Sequence, residues 1–107
     1  MSNIANFEAL LAQGRDNALL RYTLGSLHLQ KGAPERALEH LRKALEYDRE
    51  YSAAWRALGR ALTEVGEAAA AAQAYEQGIA VAEARGDKQA VREMQVFLKR
   101  LRKQPPS

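Results

Sequence analysis

Trp55-Arg56-Ala57-Leu58-Gly59-Arg60-Ala61-Leu62, followed by a break at Gly66 and then by Ala71, Tyr75 and Gly78, decides the fold of this 107-residue chain. Moved 34 residues toward the N-terminus, the stretch falls on an earlier copy of itself. Leu58-Gly59 lands on Leu24-Gly25, Gly66 on Gly32, Ala71 on Ala37, Tyr75 on Leu41 and Gly78 on Ala44. A further shift carries Leu38, Leu41 and Leu45 onto Ile4, Phe7 and Leu11, so the chain opens with the second half of a truncated copy. Such self-similarity marks units that bury their apolar faces only by stacking on their neighbours.

Glycines and capping residues punctuate the chain into six helices. The first is predicted from Asn3 to Gln13, ending at Gly14, and the second from an Asp16 cap to Lys31, before Gly32. The third runs from Pro34 to Tyr47, because proline is tolerated in a first turn. Ser52 caps the fourth, which ends at Val65-Gly66, and the fifth spans Glu67 to Arg85. Asp87 caps the sixth, which reaches Lys103. Apolar stripes such as Leu20, Leu24, Leu27 and Leu38, Leu41, Leu45 have helical spacing. Glycine inside a helix costs about 1 kcal/mol relative to alanine, so Gly25 and Gly59 at equivalent places indicate close backbone approach.

Helix pairs with this period and these residues resemble the tetratricopeptide repeat, whose signature is W-x2-L-G-x2-Y followed by small, aromatic and small positions. The second copy carries Trp55, Leu58, Gly59, Ala71, Tyr75 and Gly78, with Leu62 at the tyrosine place. The first carries Leu24, Gly25, Ala37, Leu41 and Ala44, but has Arg21 at the tryptophan place and His28 at the tyrosine place. Arg49 and Glu83 stand where the family closes each repeat with proline. The resemblance implies an all-α fold, a right-handed α-solenoid of antiparallel helix pairs. It has two full tetratricopeptide repeats, an N-terminal half repeat and a C-terminal capping helix, in one domain over residues 1–104 with a short disordered tail at 105–107.

Several function classes are excluded or disfavoured. Without cysteine there are no disulfides, thiolate metal sites or thiol nucleophiles. The N-terminus lacks the basic and apolar regions of a signal peptide, and no apolar run approaches the roughly 18 residues that cross a bilayer. A cytoplasmic protein is expected. No catalytic constellation, cofactor motif or metal site is read: His28 and His40 are not spaced to share a metal, His28 suits partial burial, and His40 is expected on an exposed face. Glu39 with Lys43, and Arg42 with Glu46, are spaced for ion pairs along one helix.

By the same resemblance, the first helix of each pair lines a concave face that binds a peptide or protein segment. The lining is then Leu19, Tyr22, Ser26, Leu29 and Gln30 from the first copy and Ala53, Arg56, Arg60, Thr63 and Glu64 from the second. The capping helix adds Arg92, Val96, Lys99 and Arg100. Arg56 and Arg60 lie one turn apart and can grip carboxylates, so the expected partner has apolar and acidic side chains. The carboxylate clamp of certain co-chaperones in the family is not inherited, since Tyr22, Ser26 and Ala57 occupy its places.

Two rival functions have a residue basis. The net charge is +3, but residues 87–107 carry +4, so a basic last helix could meet nucleic acid. No aromatic platform accompanies those charges, and a helix end complemented by cations explains them better. The open end of the solenoid offers the other rival, a homo-oligomeric subunit, because Phe97 and Ala90 are expected to lack a covering helix. Lys99, Arg100 and Lys103 would resist self-pairing, so a monomeric adaptor or scaffold, without membrane attachment, is the favoured expectation.

Overall fold

The computed structural model describes residues 3–103. It contains α1 (Ile4–Ala12), α2 (Ala18–Gln30), α3 (Pro34–Tyr47), α4 (Ser52–Glu64), α5 (Ala68–Ala84) and α6 (Lys88–Lys103), with no strand among the described residues. α2 pairs with α3 and α4 with α5, while α1 leans on α2 and α6 on α5. The expected tail at 105–107 lies outside the described residues.

Gly32 ends α2 with φ +83°, a conformation that costs glycine little but strains other residues. The Ala33 amide then donates to the His28 carbonyl at 2.8 Å and the Gly32 amide to Leu29 at 3.1 Å, the paired bonds that close a helix in a left-handed turn. Gly66 closes α4 in the same way, with Glu67 donating to Leu62. Two expected caps differ. The side chain of Asn17, not Asp16, accepts from the Leu20 amide at 2.8 Å, because Asp16 is drawn to Arg21. Ser52 is the first helical residue rather than the cap, and the Tyr51 side chain makes no capping bond. Asp87 caps α6 as predicted, accepting from the Ala90 amide at 3.0 Å.

The central core joins Leu41, Ala44 and Leu45 of α3, Ala54, Leu58, Ala61 and Leu62 of α4, and Ala71 and Ala74 of α5. Its spacing depends on the internal glycines. A methyl group on Gly25 would lie 2.6 Å from the Leu41 side chain, and one on Gly59 would lie 2.6 Å from the Tyr75 ring. Gly78 is occupied in the same sense by Met94 of α6 at 2.5 Å and by Trp55 Cβ at 2.9 Å. Trp55 is pinned in turn by its Nε1, which donates to the Arg49 carbonyl at 2.8 Å. Tyr75 is only 2% exposed, so its ring has nowhere to retreat.

Gly59→Ala should therefore lower stability by about 1–3 kcal/mol through overpacking, against a helix-propensity gain of about 1 kcal/mol. Urea unfolding followed by circular dichroism checks this, and a rise in the unfolding midpoint would refute the close-contact argument.

Candidate functional site

The concave side carries two adjoining clefts. The larger, of about 330 Å³, is lined by Tyr22, Ser26, Leu29 and Gln30 of α2, Arg56, Ala57 and Arg60 of α4, and Glu93 and Phe97 of α6. Three helices thus converge because each first helix of a pair turns the same face inward. Leu29 forms a buried apolar floor, while Tyr22 packs on Tyr51 with ring centroids 4.9 Å apart. The second cleft, of about 200 Å³, runs toward Ser52, Ala53, Gln89 and Ala90 and shares Arg56 and Glu93 with the first. Those two side chains form a salt bridge at 2.7 Å where the clefts adjoin. Arg60 is also engaged, with its Nε donating to Glu64 at 3.0 Å.

Of the expected lining residues, the structure brings together Tyr22, Ser26, Leu29, Gln30, Arg56 and Arg60. Thr63 lies outside the cleft, and its hydroxyl donates to the Gly59 carbonyl at 2.7 Å. Arg92 lies instead beside Glu83, Asp87 and Val91. Lys99 lies beside Glu76, Glu83 and Arg102. The residues that α6 turns inward are Glu93 and Phe97, one position beyond the expected Arg92 and Val96. One residue is about 100° of helix rotation, enough to exchange a basic face for one carboxylate and one ring. Phe97 stays 37% exposed, as expected for a residue without a covering helix, although one side of its ring packs on Tyr75 at 5.6 Å and Arg100 lies over it at 5.7 Å.

The comparisons with known proteins agree with this architecture. Tetratricopeptide-repeat family profiles match residues 4–46 and residues 28–92. The chain belongs to the tetratricopeptide-repeat family. A TPR repeat-containing protein of Pseudomonas aeruginosa is 52% identical over 98 residues, covering 92% of this chain and 93% of that protein. A Bordetella parapertussis protein of known solution structure is 50% identical with a TM-score of 0.83, covering 94% of this chain and 88% of that one. A tetratricopeptide-repeat domain protein of Salinibacter ruber is 26% identical with a TM-score of 0.75, covering 81% and 97%. Tetratricopeptide-repeat proteins are in general non-enzymatic modules that bind proteins or peptides. No helix among the described residues is long and apolar enough to cross a membrane.

Within this tetratricopeptide frame, the first repeat departs from the second on the side where α1, α2 and α3 meet. Arg21 holds Asp16 through two bonds, of 2.8 and 2.9 Å, and its Nη1 donates to Nδ1 of His40 at 3.1 Å. His40 is buried rather than exposed, and it stacks on His28 with ring centroids 5.4 Å apart and planes 5° from parallel. His28 is 4% exposed, and among the described residues neither of its ring nitrogens has a hydrogen-bond partner. The 34-residue shift places Leu62 of the second repeat on His28 and Ala74 on His40. Sequence separation hid this meeting, because 12 residues span a helix-turn-helix that folds back on itself.

Burial holds the protonation of both imidazoles below the ordinary range. Arg36 and Lys31 add to this at His28, and Arg21 does so at His40. Glu8 opposes the effect at both rings, and Glu39 opposes it at His40. Both rings are therefore neutral at pH 7. Replacing His28 with leucine, the residue of the second repeat, relieves unsatisfied buried groups and should stabilise the chain by about 1–3 kcal/mol. The unfolded state takes up protons near the ordinary imidazole pKa, whereas the folded state resists them. Stability of the unsubstituted chain thus falls as pH drops below about 6.5, and the advantage of His28→Leu should widen from pH 7 to pH 5. Urea titrations at both pH values with EDTA present check the sign.

Proposed function

We propose that this protein is an adaptor or scaffold that binds a peptide or protein segment along its concave face. The observation that carries this is the 330 Å³ cleft, where Tyr22, Leu29 and Phe97 present apolar surface beside Arg56 and Arg60. A cleft of about 330 Å³ has room for one or two side chains of an extended segment. Its chemistry suits a segment with an aromatic or large aliphatic residue flanked by acidic ones. Such a segment replaces Glu93 at Arg56 and Glu64 at Arg60, so the arginines never need to be left bare. The protein acts in this role as a monomer, since Phe97 lines the cleft and Lys99, Arg100 and Lys103 around it resist the pairing of two such helices.

The test uses arrayed fluorescent peptides that combine an aromatic residue with acidic neighbours, ranked by fluorescence polarisation. The best binders should lose about tenfold or more in affinity for the double variant Arg56→Glu, Arg60→Glu, which corresponds to about 1.4 kcal/mol. Phe97→Ala should weaken the same peptides while helix content is retained. Unchanged affinity in both variants would place the binding surface elsewhere. Sedimentation velocity at ordinary ionic strength should show a monomer.

A further inference from the structure

The first repeat gathers donor atoms in a way the second does not. One carboxylate oxygen of Glu8 on α1 and one ring nitrogen each of His28 on α2 and His40 on α3 all lie within 4.8 Å of one another. Two imidazoles and a carboxylate are a ligand set suited to zinc and its first-row neighbours, with water completing a tetrahedron. Bonds of about 2.0–2.2 Å from metal to ligand require the three donor atoms to draw closer together around the ion. His28 supplies the decisive sign, since it is 4% exposed and, among the described residues, both ring nitrogens lack a partner. A purely structural polar cluster would satisfy its most buried member. The second repeat fills the places of Glu8, His28 and His40 with Arg42, Leu62 and Ala74, so packing between repeats does not require the donors.

We infer that Glu8, His28 and His40 form a site for a divalent transition metal of the zinc class, which ties α1 to the first helix pair. Metal ligation needs neutral imidazoles, and the burial of both rings supplies them. The cations Arg21, Lys31 and Arg36 face the site and temper its affinity, while Glu39 adds a second negative charge nearby. Arg21 donates to Nδ1 of His40 at 3.1 Å. Two bonds to Asp16 hold Arg21 in that position. The ion would fasten to the α2–α3 pair the helix α1, which otherwise meets α2 through a small apolar cluster of Ile4, Leu20 and Leu24 with Phe7, Leu10, Leu11 and Leu27 around it.

Cobalt(II) serves as the probe, because tetrahedral ligation gives intense visible bands. The full chain should take up one cobalt ion per molecule, release it to one equivalent of zinc, and show slower amide exchange in α1 with zinc bound. The double variant His28→Leu, His40→Ala uses residues the second repeat already tolerates at these places, so it should keep its helix content and lose saturable binding. Glu8→Gln should weaken binding by about tenfold or more. Absence of saturable cobalt or zinc binding to the unsubstituted chain overturns the assignment. So does undiminished affinity in the double variant, and an unaltered Glu8→Gln affinity removes α1 from the site.

Discussion

Everything in this molecule is spaced by the contact between a glycine in the first helix of each pair and a large side chain from the second. Gly25 receives Leu41 and Gly59 receives the ring of Tyr75, at separations that leave no room for a β-carbon. Because the helices of each pair approach so closely, their outer faces are free to stack on the next pair. Gly78 then repeats the device between pairs, accepting Met94 from the terminal helix and Trp55 from the fourth. The concave face is a by-product of this spacing. It brings Tyr22, Arg56 and Phe97, from three helices, around one cleft.

The fold was legible because its constraints are local and repeated. A 34-residue period, paired leucine and glycine, and a turn glycine at equal intervals leave little freedom in where helices begin, end and touch. The site was less legible because it depends on rotation about a helix axis. Arg56 and Arg60 were found from the repeat itself, whereas α6 follows a longer connection that breaks the count. Taking the lining of α6 one residue early turned Arg92 and Lys99 inward on paper and hid Glu93 and Phe97.

His28 and His40 show the opposite failure. Each looked ordinary alone, and their separation in sequence discouraged any link between them. The fold opposes the two helices that carry them, and α1 adds Glu8 from a third. The signal that was available lay in the departures from the family pattern. Arg21 and His28 replace the tryptophan and tyrosine in the same repeat and on the same face, and His40 answers them from across the turn. Several polar residues replacing apolar ones at a single packing interface are better treated as one substitution than as unrelated ones.

If the concave face binds a segment as proposed, the salt bridge between Arg56 and Glu93 sets how it would discriminate. A carboxylate arriving at Arg56 does not neutralise a free cation; it exchanges places with a carboxylate already there. The two pairings are chemically alike, so their difference contributes little net attraction, and dissolved salt screens both sides of the exchange nearly equally. Binding strength then comes mostly from the apolar walls, while the charges act by refusal, because a cationic residue at the same spot would confront an arginine without relieving anything. A groove built this way is selective without being sticky, and its occupancy responds to the shape of the incoming segment more than to the ionic strength around it.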